Sequence, residues 1–206
     1  PNGLDNTAMG GPGGSTGANI HRTGSSPNFS YTVAADWADR PVNYVSFWDA
    51  ARFANWLHNN QPTGAQGPGT TEDGAYINIG DLATFARQPG AKFFIPTHDE
   101  WYKAAYHDKN AGLAAMYFDY PTGTNSVPGN NINETTNAGN NANIYISHFA
   151  SNFAIGGPYY RTLVGEFELS DSPYGTFDQG GNIWEWTETD VYVVYGPLRV
   201  GASNPF

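Results

Sequence analysis

The stretch that most constrains the fold is 177–186, FDQGGNIWEW. Its pair of glycines, Gly180 and Gly181, predicts a tight turn, because only glycine adopts positive φ without steric cost. The alternation of apolar and polar residues over 183–187 predicts a strand that leaves this turn. Glu185 then lies between two tryptophans, and Asp178 is placed to bend back toward it.

These two carboxylates suggest a bound cation. A carboxylate among aromatic rings is costly unless a positive charge meets it. Two carboxylates, together with backbone carbonyls left unpaired by a glycine turn, form the oxygen cage that Ca²⁺ prefers. The alternative is that Glu185 pairs with an arginine, such as Arg161 or Arg199, while Trp184 and Trp186 are ordinary core residues. Spacing alone leaves both interpretations open.

Composition favours an aromatic core connected by irregular loops. Charged residues make up 14% of the 206 residues, against about 25% in a typical domain, while aromatic residues make up 15%. The length suits one well-cored domain, and no linker or repeat of about 20–50 residues divides it. We therefore predict a single domain over 1–206.

Charge and residue usage argue against several classes of function. The net charge of −10 argues against nucleic-acid binding, because no basic stripe is present to displace counterions. The absence of cysteine removes disulfides, thiolate zinc sites and cysteine nucleophiles from this chain. The chain contains no run of about 18 apolar residues, so no membrane span is predicted. Walker loops and closely spaced histidine pairs are also absent.

Hydrophobic periodicity predicts an α+β fold with two main helices, short strands and long irregular loops. The first helix follows Ser46 and ends near 58–60, and the second follows Thr97 and ends at 107–108. In each, an acidic residue three positions after the cap gives capping-box spacing. Strands are predicted at 28–35, 41–45, 75–79, 92–95, 183–187 and 191–195. Loops are predicted over most of 1–40, 59–74 and 121–143.

Four stretches together resemble the formylglycine-generating enzyme (sulfatase-modifying factor) family. They are PVNYVSFWDA at 41–50, FIPTHDEW at 94–101, PYGTFD at 173–178 and GNIWEW at 181–186. The resemblance implies a C-type-lectin-like fold with short twisted strands, little regular structure and bound Ca²⁺. The loop sequences look most like those of exported bacterial members, which implies a secreted or cell-surface location.

Carried over residue by residue, the resemblance implies a calcium site at four positions. The side chains of Asp178 and Glu185 would supply carboxylate oxygens, and Gly181 and Ile183 would supply backbone carbonyls. These positions agree with the cage inferred from the residues themselves.

The resemblance also implies, in part, a second calcium site and a catalytic centre. The Asn143 side chain and the Ile144 carbonyl match the second site, whose acidic ligand corresponds to 156–158, where this chain has no acid. The oxidase members bind copper through a pair of cysteines near the C-terminus, so copper is not expected here. The chain opens on Pro1 and lacks the family's N-terminal strand and C-terminal end, as expected of a processed product or a fragment.

Three functional hypotheses remain open at this stage. The first is a non-catalytic exported domain, stabilised by calcium, that serves as a scaffold, adhesion or ligand-binding module for a carbohydrate, a peptide or a cell-surface partner. Sheet edges left by missing terminal strands add self-assembly to this hypothesis. The second is an oxygen-dependent oxidase of the formylglycine-generating type, or a related non-haem iron enzyme, with catalytic residues outside this chain. The third is a structural domain with an Arg–Glu pair and no metal.

Overall fold

The computed structural model describes residues 6–11, 17–25, 28–112, 114, 116–133, 135–136, 138–144, 154–193 and 196–199, with the backbone alone over 190–199. Its elements are a 3-10 helix (Thr7–Gly10), β1 (Ile20–Ser25), β2 (Asn28–Val33), α1 (Phe47–His58), β3 (Tyr76–Ile77), β4 (Ala86–Arg87), α2 (His98–Tyr106), β5 (Asp190–Val193) and β6 (Gly196–Arg199). The strands form three antiparallel pairs, β1–β2, β3–β4 and β5–β6. The predicted α+β class and its two helices are confirmed.

The chain divides into two compact units. The first unit is drawn from Pro1–Tyr44 and Asp99–Glu185, and the second from Val45–His98 and Trp186–Gly201. The single domain over 1–206 stays a prediction. Within the described residues, no helix combines the length and hydropathy that crossing a membrane requires.

The second unit is organised around α1. Ser46 accepts a hydrogen bond from the Asp49 N–H, and the Asp49 carboxylate accepts one from the Ser46 N–H, so the predicted capping box is confirmed. One face of the helix is buried in a small apolar core. The core residues are Phe47, Ala51, Ala54, Ala75, Tyr76 and Ile95.

Two buried polar residues fix β3 beside α1. The Asn55 amide donates to the carbonyls of Thr71 and Tyr76 at 2.9 and 3.1 Å and accepts from the Tyr76 N–H at 2.7 Å. The Tyr76 hydroxyl accepts from the Ile95 N–H at 2.8 Å and donates to the Glu188 carboxylate at 2.9 Å. A two-residue strand is therefore held by side chains rather than by a long ladder.

We expect Tyr76→Phe to lower the unfolding free energy by about 1–3 kcal/mol, because the buried Ile95 N–H loses its acceptor. Burial and the Glu188 carboxylate raise the pKa of Tyr76, so the hydroxyl stays protonated and able to donate at neutral pH. Urea unfolding at pH 7 measures the effect. Tyr106→Phe is the matched control, because the buried Tyr106 hydroxyl has no hydrogen-bond partner among the described residues. Equal losses in the two variants would contradict the assignment.

In the first unit, the hairpin β1–β2 pairs from Ile20 with Val33 to Ser25 with Asn28. The strand predicted at 28–35 is confirmed as β2. The prediction of loop at 20–25 is wrong, since β1 carries no alternation of its own and gains its conformation by pairing with β2.

Buried polar side chains also hold much of the first unit. The Asn140 amide donates to the Ser126 carbonyl at 3.0 Å and accepts from the Thr122 hydroxyl at 2.6 Å. The Ser170 hydroxyl accepts from the Asn141 N–H and donates to the Ala138 carbonyl, both at 2.9 Å. The predicted loop at 121–143 therefore ends in buried asparagines that bond to neighbouring segments of the chain.

Three strand predictions are wrong, because none of the six strands β1–β6 covers 41–45, 92–95 or 183–187. Side chains occupy backbone groups that a ladder would use. The Ile95 N–H donates to the Tyr76 hydroxyl, and the Val45 carbonyl accepts from the Trp186 indole at 2.9 Å. The strand predicted at 75–79 shortens to β3. The strand predicted at 191–195 corresponds to β5, and 194–195 lie outside the described residues.

Candidate metal centre

The turn that precedes Glu185 depends on unusual backbone conformations. Asp178, Gly181 and Asn182 have φ of 58°, 101° and 60°. A Cβ at Gly181 would strike the Asn143 carbonyl oxygen, and the Asn182 N–H donates to that same oxygen at 2.9 Å. Glycine is therefore required at 181 both for its conformation and for close contact with another segment.

Glu185 is partly buried and contacts α2 through Trp101. Its carboxylate accepts a hydrogen bond from the indole N–H of Trp101, which is itself only 6% exposed. Burial raises the pKa of Glu185, the bond from Trp101 lowers it, and the negative charge of Asp178 raises it further. The charge of Asp178 is thus felt at Glu185, and the calcium role of both residues stays a prediction.

Asp178 is also partly buried. Burial raises the pKa of Asp178, a hydrogen bond from the Gly165 backbone lowers it, and the charge of Glu166 raises it. Both carboxylates are therefore more costly to ionise here than in water. Ionising both would place two negative charges where hydration is reduced.

The arginine alternative receives no support from Arg161. Its guanidinium donates to the Gly17 carbonyl and lies over the Trp37 ring, 5.5 Å from the centroid. The side chain of Arg199 lies outside the described residues. Trp184 also differs from the alternative, since it is 65% exposed, whereas Trp186 packs against the apolar core as the alternative expects.

Side chains alone do not complete a cage. Among the described residues, no group of three or more His, Asp or Glu side chains is arranged to hold a metal ion. A calcium site at Asp178 and Glu185 therefore needs backbone oxygens. Within the described part of the chain, no hydrogen bond reaches the carbonyls of Gly181 and Ile183, the two positions that the sequence nominated.

The residues predicted for a second calcium site engage other protein groups. The Asn143 side-chain oxygen accepts from the Ala154 N–H at 3.1 Å, and the Ile144 carbonyl accepts from the Asn130 amide at 3.3 Å. The Asn143 amide donates to the Tyr160 carbonyl at 3.0 Å. Each predicted oxygen ligand thus already holds one hydrogen bond, and the calcium role of both residues stays a prediction.

Two residues of this region were missed by sequence reasoning. Asn182 is central, because its side-chain oxygen accepts from the Asn143 amide at 3.1 Å and from the Thr162 N–H at 3.0 Å. Trp101 is the partner of Glu185. A tryptophan on the buried face of a predicted helix signals that its N–H needs an acceptor, but the sequence does not say which one.

Comparison with known proteins identifies the family. The model of the sulfatase-modifying factor enzyme 1-like domain matches residues 14–202. The chain belongs to this family. Searches of curated proteins and of solved structures find no match. The resemblance seen in the four sequence stretches is thereby confirmed, and membership accounts for both units, since the match runs through each of them.

Proposed function

We propose that this sulfatase-modifying factor domain is a non-catalytic, calcium-stabilised binding or scaffold module with a C-type-lectin-like fold, exported from a bacterial cell. The observation that carries the proposal is the pair of partly buried carboxylates, Asp178 and Glu185. The charge of Asp178 adds to the cost of ionising Glu185, and the described contacts supply Glu185 with an indole N–H rather than a cation. A bound cation would remove this cost.

The donor set suits Ca²⁺ better than a transition metal. The candidate ligands are two carboxylates and the carbonyls of Gly181 and Ile183, all hard oxygens, and Ca²⁺ prefers such ligands with flexible geometry. The ion would supply positive charge at the turn. Trp101 would continue to orient the Glu185 carboxylate through its hydrogen bond.

The absence of cysteine from the 206 residues supports a non-catalytic role. Family membership keeps the oxidase of the formylglycine-generating type as the second candidate. Incubation of the natural full-length protein with copper and a cysteine-containing sulfatase peptide, followed by mass spectrometry, separates the two. Conversion of the peptide cysteine to formylglycine would overturn the non-catalytic role, and an unchanged peptide would support it.

The pH dependence of the calcium-free protein gives a signed prediction. The pKa values of Asp178 and Glu185 are raised in the folded state, so the folded protein binds these protons more tightly than the unfolded chain does. Their contribution to stability is therefore fully present below the ordinary carboxylate pKa range, and it is lost as the pH rises through the raised pKa values. In chelator at pH 7, Glu185→Gln should therefore be more stable than the wild type.

This advantage should shrink as the pH falls toward about 4, where an ordinary carboxylate is half protonated. Urea unfolding of both proteins across this pH range measures the difference in unfolding free energy. Taking the difference cancels the contribution of other titrating groups. One such group is Glu72, whose pKa burial raises but Arg52 and other partners lower on balance. With calcium present, the wild type should instead lose stability on acidification, because protons compete with the ion. A difference that does not vary with pH in chelator would contradict the prediction.

A further inference from the structure

The hairpin β1–β2 has a strand edge that faces solvent. Its two strands form a sheet of their own, and all six residues of β2 are exposed. Within the described residues, no backbone hydrogen bond joins β2 to any segment other than β1. Alternate N–H and C=O groups of β2 therefore point away from β1, where a further strand can bond to them.

One face of this hairpin is apolar and exposed. Phe29, Tyr31 and Val33 alternate along β2 and so share a face, where they are 40%, 54% and 43% exposed. On β1, Ile20 lies opposite Val33 and Gly24 lies opposite Phe29. An isolated two-stranded hairpin is only marginally stable in water, so an added strand would stabilise it.

The edge of β2 lacks the features by which natural sheets prevent pairing. Its sequence, NFSYTV, contains no lysine, no other charged residue and no proline, and its register with β1 continues without a bulge. The whole chain has a net charge of −10, yet residues 20–33 include no Asp or Glu. The repulsion that keeps acidic copies apart is therefore weak at this hairpin.

We propose that β2 pairs in antiparallel fashion with β2 of a second copy of this chain, about a two-fold axis at Tyr31. Residues directly opposite each other in an antiparallel pair point their backbone groups and side chains alike, so the apolar face of one copy continues into that of the other. In this register Tyr31 meets itself and Phe29 meets Val33. A shift by two residues would leave Val33 without a partner in β2.

A second copy suits this edge better than an arbitrary extended chain. The pairs formed are aromatic with aromatic and aromatic with β-branched, which are favourable across strands. The nearest charge is Arg22, which lies over the Phe29 ring, 4.7 Å from its centroid, and opposite Tyr31. The two Arg22 residues would be three strand spacings apart, about 14 Å, which exceeds the screening length of about 8 Å at physiological ionic strength.

The expected association is weak. Six residues per copy form a small interface beside the roughly 20–30 of a standard one, so we expect a dissociation constant in the micromolar range or above. For its biological use the inference rests on the scaffold role in the proposed function. The pairing itself does not involve the calcium centre.

Cross-linking tests the axis directly, because the chain has no cysteine of its own. Opposite Cα atoms at the axis would lie about 4.5–5.5 Å apart, a distance that a disulfide spans. Under mild oxidation Tyr31→Cys should form a disulfide-linked dimer at least about tenfold faster than Val164→Cys, because pairing raises the effective concentration of the thiols. Val164 is the matched control, since it is 69% exposed in the same unit.

Sedimentation equilibrium tests the association without a cross-link. The wild type should show a reversible monomer–dimer equilibrium between micromolar and millimolar concentration. Tyr31→Lys should remain monomeric, because it places two like charges opposite each other at the axis. Thr23→Lys adds the same charge to an exposed position of β1 and should dimerise like the wild type. Far-UV circular dichroism checks that each variant is folded.

A wild type that stays monomeric at millimolar concentration would overturn the proposal. Equal cross-linking rates for Tyr31→Cys and Val164→Cys would do the same, as would equal dimerisation of Tyr31→Lys and Thr23→Lys. Chelator separates this proposal from the calcium centre. Dimerisation of a protein whose stability is indifferent to chelator would refute the calcium centre alone, whereas a chelator-sensitive protein that never dimerises would refute the pairing alone.

Discussion

Removal of calcium is expected to lower the unfolding free energy by about 3–4 kcal/mol when free calcium had been 100–1,000 times its dissociation constant. The reason is that partial burial raises the pKa of both Asp178 and Glu185, and the charge of Asp178 raises that of Glu185 further. Without the ion, folding must desolvate two like charges. Urea unfolding at pH 7 in calcium and in chelator measures the loss.

Two variants make the test specific. Glu185→Gln keeps an oxygen to accept from the Trp101 indole but removes the charge, so it should abolish most of the sensitivity to chelator. Glu168→Gln is the matched control, because Glu168 is exposed in the same unit, and its sensitivity should equal that of the wild type. A wild type indifferent to chelator, or a Glu185→Gln variant as sensitive as the wild type, would refute the calcium centre.

The second large effect is expected at Asn55. Asn55→Leu preserves the approximate volume but strips three hydrogen bonds from the buried backbone of Thr71 and Tyr76. Each unsatisfied buried group costs about 1–3 kcal/mol, so we expect a total loss of about 3–5 kcal/mol. Denaturant unfolding measures it.

The control for Asn55 lies on the same helix. Phe53 is 58% exposed, so Phe53→Leu should change the unfolding free energy by no more than about 0.5 kcal/mol. A loss below about 1 kcal/mol for Asn55→Leu would show that the buried backbone groups find other partners, and it would contradict the role assigned to the amide.

Sequence reasoning succeeded where the determinants are local. The capping box of Ser46 and Asp49 needs only residues three apart, so the start of α1 was predictable. The need for glycine at 181 was predictable in part, because a turn demands positive φ. The contact of Gly181 with the Asn143 carbonyl was not, since it joins segments far apart in the chain.

The failures depend on partners that lie far away in the chain. The strand predicted at 92–95 is a short apolar run, but the Tyr76 hydroxyl takes the Ile95 N–H that a ladder would use. Likewise, the indole that bonds to Glu185 comes from Trp101, 84 residues away. A pattern within a window of a dozen residues contains no information about such partners.

The discontinuous course of the two units has a consequence for synthesis on the ribosome. The first unit needs Arg161 to reach the Gly17 carbonyl, 144 residues earlier, and the second needs Glu188 to reach Tyr76, 112 residues earlier. Neither unit can be completed until Arg161 and Glu188, respectively, have left the exit tunnel. The nascent polypeptide must therefore stay incompletely packed until most of this region has been translated.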